Sequence, residues 1–156
     1  MWGRELNRCS VRTKSVEETR ELGKALGELL PPKVVVILSG ELGCGKTELT
    51  RGIAEALGIP ADDVSSPSFN LVHEYDELIH VDLYRLDSIE AAEDIGIEEL
   101  LLDNRPKIIE WGETIEELLE CLPVIKIRCR QAGEEREFEI SDSTGKICRE
   151  LLKKLS

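Results

Sequence analysis

The apolar positions change period several times along the chain, and each change marks an element. Ser15-Val16-Glu17-Glu18 has the form of a capping box, after which Leu22, Ala25, Leu26, Leu29 and Leu30 share one helical face. Pro31-Pro32 stops that helix. Lys33 to Ser39 is a continuous apolar run, the pattern of a strand buried on both faces. A glycine-rich turn follows, and the chain from Lys46 reads as a helix closing at Gly58.

Two strands, Phe69 to Tyr75 and Leu78 to Leu83, are expected around a short turn at Asp76-Glu77. The stretch to about Leu102 reads as helical and acidic, and Lys107 to Trp111 as another short strand. Thr114-Ile115-Glu116-Glu117 offers a second capping box, for a helix ending before Pro123. From Val124 to Arg130, Ile125, Ile127 and Cys129 alternate with Lys126, Arg128 and Arg130. Beyond Gly133, Phe138 and Ile140 alternate with Glu137 and Glu139, so basic and acidic outer faces predict a hairpin with cross-strand ion pairs. A last helix carries Ile147, Cys148, Leu151, Leu152 and Leu155 on one side. No repeat or linker interrupts the series. The expectation is one domain over residues 1–156, an α/β three-layer sandwich with a mixed central sheet and a C-terminal antiparallel hairpin.

Composition narrows the function. Aromatic residues are only 4%, so the core is expected to be aliphatic. Acidic residues outnumber basic ones 32 to 20, a formal charge of −12 that repels nucleic-acid backbones and anionic lipid. Direct tRNA or membrane binding is therefore disfavoured, although backbone N–H groups can still build a local anion site. The five cysteines include no C-x-x-C pair, which predicts reduced thiols and neither disulfide framework nor zinc site. With no apolar leader and no long apolar run, the chain is expected to be soluble and cytoplasmic.

The sharpest chemical signal is Gly40-Glu41-Leu42-Gly43-Cys44-Gly45-Lys46-Thr47, which fits the P-loop pattern G-x-x-x-x-G-K-[ST] between a buried strand and a helix. In that setting the backbone from Glu41 to Gly45 wraps phosphate oxygens at a helix N-terminus. Lys46 reaches the β- and γ-phosphates and the Thr47 hydroxyl ligates Mg²⁺. Such a site also needs a strand-end acid, and Asp82 is the natural candidate. Glu110 ends a second apolar run, where a carboxylate can bind metal or orient the attacking water; spacing alone does not choose. The absence of [NT]-K-x-D favours ATP over GTP. His73 and His80 lack metal-ligand spacing and read as structural, and Cys44 reads as a loop residue. Ser65-Ser66-Pro67-Ser68-Phe69 is a turn-like segment with weak independent signal as a γ-phosphate sensor.

In order, the P-loop, Ser66-Pro67-Ser68-Phe69, His80-Val81-Asp82-Leu83-Tyr84-Arg85 and Glu110-Trp111-Gly112-Glu113 resemble the TsaE (YjeE) family, over nearly the whole chain. The resemblance implies a Mg²⁺-dependent ATPase of bacterial tRNA threonylcarbamoyladenosine synthesis, with TsaB and TsaD as partners and tRNA reached only through their complex. It implies that Thr47, Asp82 and Glu110 serve Mg²⁺ and hydrolysis, that Trp111 lies beside the catalytic site, and that Ser66 to Phe69 acts as a switch. It further implies that the segment at Thr13 and the hairpin near Arg136 flank the adenine. The family commonly reads G-D-L-G-A-G-K-T-T, where this chain has Glu41, Cys44 and Glu48. Glu48 puts a carboxylate near the expected phosphates and must weaken binding or turn outward. A small-molecule kinase and a nucleotide-gated adaptor are the alternative classes that use the same loop.

Overall fold

The computed structural model describes residues 7–41, 43–64, 71–84 and 86–156. Its elements are β1 (Asn7–Thr13), α1 (Val16–Leu29), β2 (Val35–Gly40), α2 (Lys46–Ala56), β3 (Val72–Glu74), β4 (Ile79–Asp82), α3 (Ile89–Asp94), α4 (Ile97–Leu102), β5 (Lys107–Glu110), β6 (Val124–Ala132), β7 (Glu135–Asp142) and α5 (Ile147–Leu155), with short 3-10 segments at Ala61–Asp63 and Gly112–Leu119. The strands form one seven-stranded sheet in the order β1-β7-β6-β2-β5-β4-β3. Strands β6, β2, β5 and β4 run parallel, while β3 is antiparallel to β4 and β7 to its neighbours β6 and β1.

The buried run of β2 explains the layering. Val34, Val36 and Leu38 join one apolar cluster with Leu22, Leu26, Leu49, Ile53 and Leu151, on the side of α1, α2 and α5. Val35 and Ile37 join the opposite cluster with Ala92, Ile97, Leu101 and Ile115, on the side of α3, α4 and the 3-10 segment. The three-layer α/β sandwich with a mixed sheet is thus the observed fold. Among the described residues no helix is long and apolar enough to cross a membrane.

Several local expectations are corrected. The N-terminal segment forms β1: alone it is too polar to stand out, but it adds to the β7 edge through Cys9↔Ile140 and Val11↔Phe138. That pairing brings Cys9 beside α5, where it forms a disulfide with Cys148 (Cα–Cα 5.8 Å) across 139 residues of sequence. Reduced thiols therefore remain only at Cys44, Cys121 and Cys129. The acidic stretch before Leu102 splits into α3 and α4 because Gly96 turns left-handed between them. Thr114 caps nothing; its hydroxyl donates to the Leu86 carbonyl, and the segment is 3-10 in form. Leu152 and Leu155 lie about half exposed on α5 instead of facing the core. The predicted hairpin holds, with Glu137 between Arg130 of β6 and Arg12 of β1.

Two features fix the helices around the sheet. Lys107, fully buried, donates to the Leu101 and Asp103 carbonyls and so satisfies the C-terminal end of α4; burial pushes its ammonium pKa down. Helices α1 and α2 touch backbone to backbone at Gly23 and Gly52. A Cβ on Gly52 would stand 2.2 Å from the Arg20 carbonyl oxygen, and one on Gly23 2.3 Å from that of Leu49. The missing side chains let α1 press directly on the helix that follows the P-loop. Gly52→Ala is therefore expected to lower unfolding free energy by about 3 kcal/mol, as overpacking does. Urea denaturation at constant m-value checks this, and a loss below about 0.5 kcal/mol would contradict the close contact.

Candidate functional site

β2 leaves the sheet at Gly40, whose φ of 139° and closeness to Cys129 exclude a side chain; a Cβ would lie 2.2 Å from the Cys129 carbonyl oxygen. The loop then turns through Gly43 and Gly45, both at positive φ, and enters α2 at Lys46. Cys44 points inward, 1% exposed, and the Cys129 thiol donates to its carbonyl at 2.7 Å. Hydrogen bonding between the two cysteines raises the Cys129 thiol pKa and lowers that of Cys44. The loop is thus anchored from behind while its front borders a cleft of about 830 Å³ at the carboxyl ends of β2, β4 and β5.

Parallel pairing brings the acids to this edge. Leu38 of β2 pairs with Glu110 of β5, and Glu110 pairs with Asp82 of β4. Burial raises the pKa of Asp82, with the Glu110 charge adding, while Tyr84 N–H donates to its Oδ1 at 2.9 Å and opposes the rise. Glu110 Oε2 lies 2.8 Å from His80 Nε2, and its Oε1 lies 4.0 Å from Lys46 Nζ. Lys46 itself donates to the Gly40 carbonyl at 3.0 Å, with Nζ 5.3 Å from the centroid of the Trp111 ring. Trp111 has a φ of 61°, a left-handed conformation that costs a non-glycine residue about 1 kcal/mol or more. Its ring meets Tyr84 at 5.2 Å. Strain of this kind collects at functional positions.

Of the residues expected at the site, Glu41, Gly43, Gly45, Lys46, Thr47, Glu48, Asp82, Glu110, Trp111 and Arg136 border one cleft. Thr13 does not; it is buried, its hydroxyl 2.6 Å from that of Thr19, and Lys14, Ser15 and Val16 reach the cleft in its place. Arg136 reaches the P-loop, its Nε 3.9 Å from where a Gly45 Cβ would stand. Leu42, Arg85 and the Ser66 to Phe69 loop lie outside the described residues. Among the described residues no three His, Cys, Asp or Glu side chains gather into a metal cage. Sequence reading missed Tyr84 and Glu134 as cleft residues and the contact of His80 with Glu110. For His80 the signal was present, since it stands two residues before Asp82 on the same strand face.

The family model described as "Threonylcarbamoyl adenosine biosynthesis protein TsaE" matches residues 13–138. The chain belongs to the TsaE family. It is 34% identical over 147 residues to the Bacillus subtilis protein named tRNA threonylcarbamoyladenosine biosynthesis protein TsaE, covering 90% of this chain and 91% of that one. It is 38% identical over 138 residues to the identically named Treponema pallidum protein, covering 86% and 99%. The crystal structure of Bacillus subtilis YdiB superposes with a TM-score of 0.79 at 29% identity, covering 97% of this chain and 99% of that one. As a TsaE-family member the chain has its place in tRNA threonylcarbamoyladenosine biosynthesis.

Against that family background Glu48 has a physical explanation. Its carboxylate accepts from Arg20 Nη2 and from Arg51 Nη1, each at 2.7 Å, so it turns sideways onto α1 and α2. Burial pushes its pKa up, but the bonds from Arg20 and Arg51 outweigh burial and hold it below the usual value. A depressed carboxyl pKa adds stability above the unfolded-state value and loses it as pH falls through the folded one. Solvent screening at the one-third exposed Arg20 keeps the contribution near 1 kcal/mol. Glu48→Gln is thus expected to cost about 1 kcal/mol at pH 7, with the difference starting to shrink as pH falls below about 4 and vanishing only below the depressed folded-state value. Paired denaturation curves across that range check it, and a pH-independent difference would contradict the ion-pair account.

Proposed function

We propose that this chain is a Mg²⁺-dependent ATPase, slow alone, that supports TsaB and TsaD partner proteins during threonylcarbamoyladenosine modification of tRNA in the cytoplasm. The observation that carries this reading is the convergence of Lys46, Thr47, Asp82 and Glu110 on one cleft, at the carboxyl ends of parallel strands where α/β sheets bind ligands. Lys46 and the amides at the start of α2 are the donors for the phosphate chain, and the left-handed glycines keep that surface free of side chains. Glu48, which would repel phosphate, is already neutralised by two arginines.

Thr47 and Asp82, with Glu110 beside them, are the oxygen donors that would hold Mg²⁺. So few carboxylates suit an ion that keeps waters and phosphate oxygens among its ligands. When bound, the ion neutralises charge on the phosphates. Lys46 exchanges the Gly40 carbonyl for a phosphate oxygen, and Glu110 orients the attacking water. Catalysis then rests on positioning and charge stabilisation, with no covalent step for the protein to perform. The charge of −12 supports leaving tRNA contact to the partners.

Phosphate release from ATP·Mg²⁺ with and without purified TsaB and TsaD tests this. The partners are expected to stimulate release, and Lys46→Ala or Asp82→Asn to reduce it at least ~100-fold. Binding of nucleotide without stimulated release, with active partners, would instead make the chain a nucleotide-gated adaptor. Phosphate appearing on a metabolite would make it a kinase.

A further inference from the structure

We infer that His80 is the residue that positions Glu110 for this chemistry, by donating Nε2–H to one carboxylate oxygen and leaving the other directed at the P-loop lysine. The inference rests on the hydrolytic reading above but stands on its own geometry. His80 is 3% exposed and its Nε2 lies 2.8 Å from Glu110 Oε2. Its second ring nitrogen, Nδ1, is buried and has no hydrogen-bond partner among the described residues.

That asymmetry fixes the proton. A buried N–H left without an acceptor costs more than a buried lone pair left without a donor, and Glu110 needs a donor. The N–H that Glu110 accepts is therefore on Nε2, and the unpartnered Nδ1 is the nitrogen left without a proton. Of the two ring nitrogens of His80, only the one facing Glu110 has a partner among the described residues.

The contact matters because, among the described residues, Glu110 has two anchors of different permanence. Oε1 faces Lys46 Nζ at 4.0 Å, and Lys46 is the group that turns to phosphate. Once it turns, His80 is the side chain among the described residues that still holds the carboxylate against rotation. The bond comes from the neighbouring strand β4, whose register sets His80 opposite Ile108 and Asp82 opposite Glu110. Both acids and the histidine are thus fixed by one pair of parallel strands. His73, the remaining histidine, has its ring centroid 6.4 Å from that of His80 and takes no part.

The test compares His80→Leu, which keeps volume without a donor, with His80→Gln, which restores an N–H near the position of Nε2. His80→Leu is expected to lower partner-stimulated kcat about 30- to 100-fold while leaving Mg·ADP affinity within about threefold. His80→Gln is expected to recover most of that loss, and Glu110→Gln added to His80→Leu to cost little more, since the pair acts as a unit. Because the chain has only two histidines, ¹⁵N spectra of the ligand-free protein read the ring directly. They are expected to show the Nε2–H tautomer for His80, with a signal that moves in Glu110→Gln. Unchanged kcat in His80→Leu, fully multiplicative losses in the double variant, or an Nδ1–H tautomer would each overturn the inference. If the wild-type chain hydrolyses nothing, the ATPase reading fails, and the spectra still decide the contact. They also decide it if His80→Leu does not fold.

Discussion

The arrangement of the cleft depends on one constraint: β2 is packed on both faces and must leave the sheet where no side chain fits. Leu38 is fully buried, and two residues later a Cβ on Gly40 would collide with the Cys129 carbonyl. The chain therefore turns at once into the P-loop, and α2 begins directly above the strand end. Because β2, β5 and β4 are parallel and in register, Glu110 and Asp82 surface at the same edge. The Gly23–Gly52 contact then presses α1 against α2, which lets Arg20 reach Glu48. A single packing decision in the core thus sets the height of the lysine, both acids and the neutralised glutamate.

Much of this was legible in the sequence because it is local. A continuous apolar run, a glycine-rich turn and strand-end acids each announce themselves within a few residues, and their order pointed to the family. What was not legible depends on partners far apart in the chain. β1 is a polar, weakly alternating segment that becomes a strand only by pairing with β7, and its disulfide to α5 joins residues 139 apart. The ion pair of Glu48 with Arg20 spans 28 positions and needs two bare glycines to bring the helices together. The Thr114 box did not form a helix start: the segment is 3-10 and begins at Gly112, and the Thr114 hydroxyl donates instead to a distant acceptor, the Leu86 carbonyl. For His80 the shared strand face with Asp82 was visible, but its partner Glu110 appears only once β5 is laid beside β4.

The electrostatics divide the molecule into an acidic exterior and a cleft whose charges are individually managed. Lys46 rests between the Gly40 carbonyl, the Trp111 ring and Glu110, each a weak hold that phosphate can replace. Arg20 and Arg51 remove Glu48 from competition with an incoming anion. Trp111 keeps a left-handed backbone beside this lysine, and the residue remains 41% exposed with Tyr84 against its ring. On the proposed reading, a chain with strong net negative charge in this way keeps, among its described residues, a surface suited to a polyphosphate.

Calorimetric titration of the isolated chain with a non-hydrolysable ATP analogue, with and without Mg²⁺, tests the central claim most directly. The account predicts one site per chain, tighter binding with Mg²⁺, weaker binding of the GTP analogue, and no binding in Lys46→Ala. Absence of binding by a folded wild-type chain, or binding indifferent to Lys46, would contradict it.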